Sequence, residues 1–166
     1  MAPKVHCPKL KELSDHLEPL IGRTTTVTPS KTPNKFKETC QTARYVGRDG
    51  KLAAVCQLDL ELAAYLGAAL AMVPIGSAQD DIKSGKLSPN LIDAFREVAN
   101  ILAGVLCVDG APHVRWTDVV AGLAAMPADA KALIAKPCER IDVHVEVEGY
   151  GGGGGGNLTI LTAKLA

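Results

Sequence analysis

The sequence predicts an α+β domain built on an antiparallel sheet, and three features carry that expectation. Gly47-Arg48-Asp49-Gly50 joins two strand-like runs with hairpin chemistry, and a tight hairpin requires antiparallel partners. Residues 141–148 alternate apolar and polar side chains without a break, the period of a half-buried strand. A glycine-rich stretch then separates them from a second, more loosely alternating run. The resulting order is helix, strands, helix, helix, strand, short helix, hairpin, which is not the strand–helix–strand alternation of a parallel sheet.

Each element has its own local reason. Residues 10–21 set Leu10, Leu13, Leu17, Leu20 and Ile21 on one side of a helix, with Gly22 as its stop. Pro19 is expected to end that helix a few residues early. Residues 24–28 are β-branched and strand-like, and Pro29 and Pro33 punctuate the loop beyond them. Residues 39–46 and 51–58 form the first hairpin. Asp59 caps a helix over residues 60–72, closed by Pro74 and Gly76. Residues 77–86 are polar and read as a loop with at most one helical turn. Ser88 and Pro89 supply an N-cap and a proline at the first helical position, so a helix is expected over residues 89–107. After the turn at Asp109-Gly110-Ala111-Pro112, residues 113–120 form a strand holding Trp116, and residues 127–135 a short helix. The last hairpin pairs residues 141–148 with 157–165. Its tip, residues 149–156, is expected to be flexible; it lacks the Lys-Ser/Thr and the following helix of a phosphate loop.

Length and composition bound the function. A chain of 166 residues suits a single domain, expected over 1–166. Lys and Arg number 18 and Asp and Glu number 18, a balance that argues against nucleic-acid partners or an anionic membrane surface. The longest apolar stretch, residues 62–75, is too short to span a bilayer and contains Gly67 and Pro74, so no membrane insertion is expected. The N-terminal stretch has no apolar secretory core. Cys7, Cys40, Cys56, Cys107 and Cys138 are odd in number and lack ligand or redox spacing, and a cytoplasmic location is expected.

The helix over residues 89–107 carries the candidate site. At about 100° per residue, Asp93, Glu97, Asn100 and Gly104 fall in one narrow wedge. Leu91, Ile92, Phe95, Val98, Ile101, Leu102, Val105 and Leu106 cover most of the rest, so the stripe should be the helix's one outward face. Gly104, with no side chain, would let another backbone come close. Every surface helix has a solvated side, and that plain reading stays open. Asn is an awkward choice for such a side, because it competes for backbone hydrogen bonds.

The string Asp93-x3-Glu97-x2-Asn100, running into Ile101-Leu102-Ala103-Gly104, resembles the signature of the CheC/CheX/FliY family of chemotaxis phosphatases. Family members carry Asp or Ser, then Glu, then Asn at this spacing, commonly followed by an apolar pair and Ala-Gly. The element order over residues 10–166 is also similar to that of CheX, and one such set is present, as in CheX. The resemblance implies an antiparallel sheet with two long helices packed on it. It also implies hydrolysis of the aspartyl phosphate of a CheY-like response regulator in two-component signalling. On that basis Glu97 docks a lysine of the regulator and Asn100 orients the attacking water. Asp93, Arg96 and Gly104 complete the partner-binding face, with Arg96 able to pair with Asp93 or Asn100. No cofactor is expected on this chain, because Mg²⁺ comes with the regulator. A homodimer joined sheet to sheet is a further implication. A second reading is a binding module that docks a regulator or another signalling protein without catalysis. It is motivated by Pro112 and Pro127, which fall early and late for the family's terminal proline.

The other chemistry-bearing residues give weaker signals. His6, His16, His113 and His144 are dispersed, with His144 expected to face solvent. Cys56 and Cys107 lie in apolar runs and are expected to be buried, inert thiols. Asp80-Asp81 reads as part of a solvated loop, and Ser14 and Ser77 lack a nucleophile's setting.

Overall fold

The protein is described by a computed structural model that covers residues 4–150 and 155–165. In chain order its elements are α1 (Leu10–Ile21), β1 (Thr25–Pro29), β2 (Gln41–Gly47), β3 (Leu52–Leu58), α2 (Leu60–Ala71) and α3 (Ile75–Ser84). There follow α4 (Pro89–Leu106), β4 (Val114–Ala121), α5 (Ala128–Ala135), β5 (Glu139–Val147) and β6 (Gly156–Thr162). The strands form one antiparallel sheet in the order β1-β5-β6-β3-β2-β4. The expected α+β class, antiparallel pairing and both hairpins are therefore present.

Two expectations about helices are corrected. α1 runs through Pro19 to Ile21. Pro19 is exposed, and the left-handed Gly22 returns its amide to the Glu18 carbonyl at 2.9 Å to close the last turn. The polar stretch expected to be a loop is the helix α3. Pro74 opens it, Gly85 closes it at φ 80°, and it buries only a narrow edge at Ala78 and Asp81. A helix so lightly buried shows little apolar periodicity.

The path α1–β1–β2–β3 is repeated by α4–β4–β5–β6. The two strand triplets lie back to back with their first strands exchanged: β1 pairs with β5, and β4 with β2. One sheet face is covered by α1, α2 and α4, which share a core with Ala43, Tyr45, Ala54, Cys56, Leu158 and Ile160. The opposite face carries α5, which packs Met126, Ala130 and Leu133 on Val55 and Leu161. Beside α5, Asn34 from the β1–β2 loop pins that loop to the sheet: its amide group donates to the Val143 and Leu158 carbonyls at 3.2 and 3.0 Å. Of the expected flexible tip, residues 149–156, residues 151–154 lie outside the described residues, whereas Tyr150 is buried with its hydroxyl donating to the Val73 carbonyl at 2.9 Å and Gly156 begins β6. Among the described residues no helix is long and apolar enough to cross a membrane.

Candidate functional site

α4 is anchored at its start by a carboxylate that sequence reasoning placed in solvent. Asp81 is 8% exposed, and its Oδ2 accepts from the Ser88 amide at 2.7 Å and the Ser88 hydroxyl at 2.8 Å. Ser88 does stand at the N-cap, but its hydroxyl donates to Asp81 and makes no side-chain cap bond to the helix. Pro89 occupies the first turn. Leu91, Phe95, Val98, Ala99, Leu102, Val105 and Leu106 are buried, so the helix is held along the side opposite the stripe.

The stripe lies where the periodicity put it. Asp93, Arg96, Glu97, Asn100 and Gly104 are all exposed. Arg96 Nη1 stands 3.8 Å from Asp93 Oδ1, an exposed pair one turn long that contributes little to stability. Glu97 and Asn100 project from the exposed side of the helix into solvent. A groove of about 870 Å³ lies elsewhere, beside α5, lined by Leu52, Leu133, Lys136 and Ala163.

Three contacts hold the helix beneath the stripe. The Tyr45 hydroxyl donates to the Ala99 carbonyl at 2.7 Å, and complete burial pushes the Tyr45 pKa well above its ordinary value, so this donor stays protonated. Gly67 of α2 lies against α4 so closely that an added Cβ would sit 3.2 Å from the Leu91 carbonyl oxygen. His16 of α1 places Nε2 3.2 Å from the Ile101 carbonyl oxygen.

Gly104 has a different neighbour from the one expected. A Cβ there would lie 2.5 Å from His16 Nε2 and 2.8 Å from Cε1, so the space left by the missing side chain is filled by the chain's own imidazole. A glycine on a polar stripe leaves room for close approach, and within this chain the approaching group is His16. Nothing in the spacing of His16 identified it as the group that approaches.

The remaining candidates are dispersed. Cys56 is buried, and burial raises its thiol pKa. Cys107 is only partly buried; its Sγ donates to the Val114 carbonyl at 3.2 Å and lies 3.6 Å from His113 Nδ1. His144 is half-buried rather than solvent-facing, with Nδ1 2.9 Å from Asn157 Oδ1. His6 pairs with Glu12 at 2.7 Å, far from α4 in the chain.

No sequence profile of a protein family matches the chain, and no curated protein matches it. Its fold is nevertheless found among solved structures. FliY from Thermotoga maritima superposes with a TM-score of 0.57 at 17% identity, over 94% of this chain and 85% of that one. A chain of the CheX-CheY-BeF3-Mg+2 complex from Borrelia burgdorferi gives 0.53 at 14% identity, over 95% of each. A chain of the FliM-SpeE complex from H. pylori gives 0.56 at 12% identity, over 93% of this chain and 81% of that one. The chain therefore has the CheC-like fold that CheX, FliY and the FliM middle domain share.

Proposed function

We propose that this protein is a CheX-like phosphatase that hydrolyses the aspartyl phosphate of a CheY-like response regulator. The observation that carries the reading is the exposure of Glu97 and Asn100 together, one turn apart, on a helix whose other side is packed into the core of a CheC-like fold. A solved structure of that fold is a complex with CheY and Mg²⁺, which supports a regulator as partner. Glu97 docks a lysine of the regulator, and Asn100 enters beside the aspartyl phosphate. A carboxamide accepts one hydrogen bond from water and donates another, so it fixes the water's orientation without acting as a strong base. Hydrolysis of an acyl phosphate depends chiefly on positioning and charge stabilisation, and the regulator contributes its own Mg²⁺ and lysine. Asp93 and its partner Arg96 border the docking surface.

The test follows loss of phosphate from a regulator charged with acetyl phosphate. Wild-type protein is expected to accelerate it. Asn100→Ala is expected to lose on the order of 10²–10⁴ of the acceleration, the usual worth of one well-placed group. Glu97→Ala is expected to weaken regulator binding. If wild type and Asn100→Ala both leave the intrinsic decay unchanged for every cognate regulator, catalysis is refuted. The second reading, docking without hydrolysis, draws on the FliM chains of the same fold that were solved in complexes with FliG and SpeE. It is favoured by binding that depends on Glu97 while the decay rate ignores Asn100.

A further inference from the structure

His16 lies outside the stripe, yet it touches α4 at two points that bracket the turn after Asn100. Its Nε2 stands 3.2 Å from the carbonyl oxygen of Ile101, the next residue along. The same ring fills the notch at Gly104, one turn further on, where a Cβ would collide with it at 2.5 Å. The residues beside the notch, Ala103 and Val105, carry side chains, so the ring sits at the one position of this turn that has none. A helix rolled by one residue turns by about 100°, which would drive Ala103 or Val105 against the ring and swing Asn100 away from its present direction. Tyr45 holds the opposite side of the helix through Ala99.

From this geometry we infer that His16 is a positioning residue for Asn100: its imidazole, seated at Gly104 and bonded to the Ile101 carbonyl, fixes the roll of α4 and with it the pose of the carboxamide. The inference rests on the phosphatase reading for its catalytic consequence, and the pose itself is measurable without it.

The test compares wild type with His16→Ala, Gly104→Ala and His16→Gln. His16→Ala, which leaves the stripe untouched, is expected to lower kcat by roughly ten- to a hundredfold, as small misplacements of catalytic groups do, while KM stays near wild type because Glu97 and Gly104 still dock. Gly104→Ala displaces the same ring and should lower kcat as well, and its added methyl on the partner-binding face can change KM too. His16→Gln keeps an N–H for the Ile101 carbonyl and should stay near wild type. In parallel, the side-chain amide resonance of Asn100 in ¹H–¹⁵N spectra should shift in His16→Ala and Gly104→Ala and stay in place in His16→Gln. His16→Ala with wild-type kcat and an unmoved resonance overturns the inference. A fall in melting temperature without either change marks a packing contact only and overturns it equally. Should even wild type fail to accelerate phosphate loss, the phosphatase reading falls, and the Asn100 resonance alone decides the positioning role.

Discussion

Ala99 and Asn100 are neighbours with opposite surroundings. Ala99 is fully buried, and its carbonyl accepts the Tyr45 hydroxyl at 2.7 Å; Asn100 is exposed. The Tyr45 bond crosses the core from the sheet to the helix that carries the stripe, so it locates Asn100 from the residue beside it. Tyr45 reaches no solvent, and deleting its hydroxyl leaves a buried carbonyl that already bonds within its helix. Tyr45→Phe is therefore expected to cost about 1 kcal/mol, the net worth of one such bond, read as a lower urea midpoint at unchanged slope. An unchanged midpoint would show that the bond contributes nothing to anchoring α4.

At the scale of elements, α2 and α4 approach each other across Gly67. A Cβ there would meet the Leu91 carbonyl oxygen at 3.2 Å and the Phe95 amide nitrogen at 3.6 Å, backbone atoms that cannot rotate away. Gly67→Val adds a branched side chain to that seam and is expected to destabilise the protein by about 1–3 kcal/mol through overpacking. Full stability by thermal unfolding would mean that the two helices can part at no cost. The same contrast explains what the sequence could reveal. α4 was legible because its buried side chains repeat at helical period and its ends bear Ser88-Pro89 and a turn. The second hairpin was legible because every other residue from Ile141 to Val147 faces a core. α3 was not, since it buries little beyond Ala78 and Asp81 and so has no stripe to read. Nor could local pattern show the exchange of β1 and β4 between triplets, which is decided by pairing far along the chain. The stripe's exposure followed from periodicity, whereas the His16 contact joins residues 85 apart and leaves no mark in local spacing.

Across the whole molecule the sheet has two unlike faces. The face under α1, α2 and α4 is apolar, while the far face, beside its apolar patch under α5, buries Thr42, Gln57 and Thr159, and Thr159 joins Asn34 in polar contacts centred on Asp142. Asp142 accepts from the Asn34 amide at 3.0 Å, the Thr159 hydroxyl at 2.7 Å, and both Nε and Nη2 of Arg140 at 2.8 and 2.9 Å. Burial alone would raise its pKa, but these donors outweigh burial and hold it below the ordinary carboxylate value of 3.8. Because the folded value is the lower one, the ionised group stabilises the fold fully above about pH 4 and ceases to do so as pH falls through the depressed value. Asp59 works in the opposite sense: burial raises its pKa, so acid relieves it. A bare acid titration therefore mixes the two, and the contribution of Asp142 is isolated by difference. Asp142→Asn puts an amide group where an acceptor is needed and is expected to cost about 1.5–3 kcal/mol at pH 7, the worth of hydrogen bonds to a charged group. That gap between wild type and variant should narrow below pH 4 as the wild-type carboxylate takes up its proton. Urea midpoints at pH 7, 4 and 3 measure it, and a gap of the same size at all three would show that the far face does not depend on the charge of Asp142.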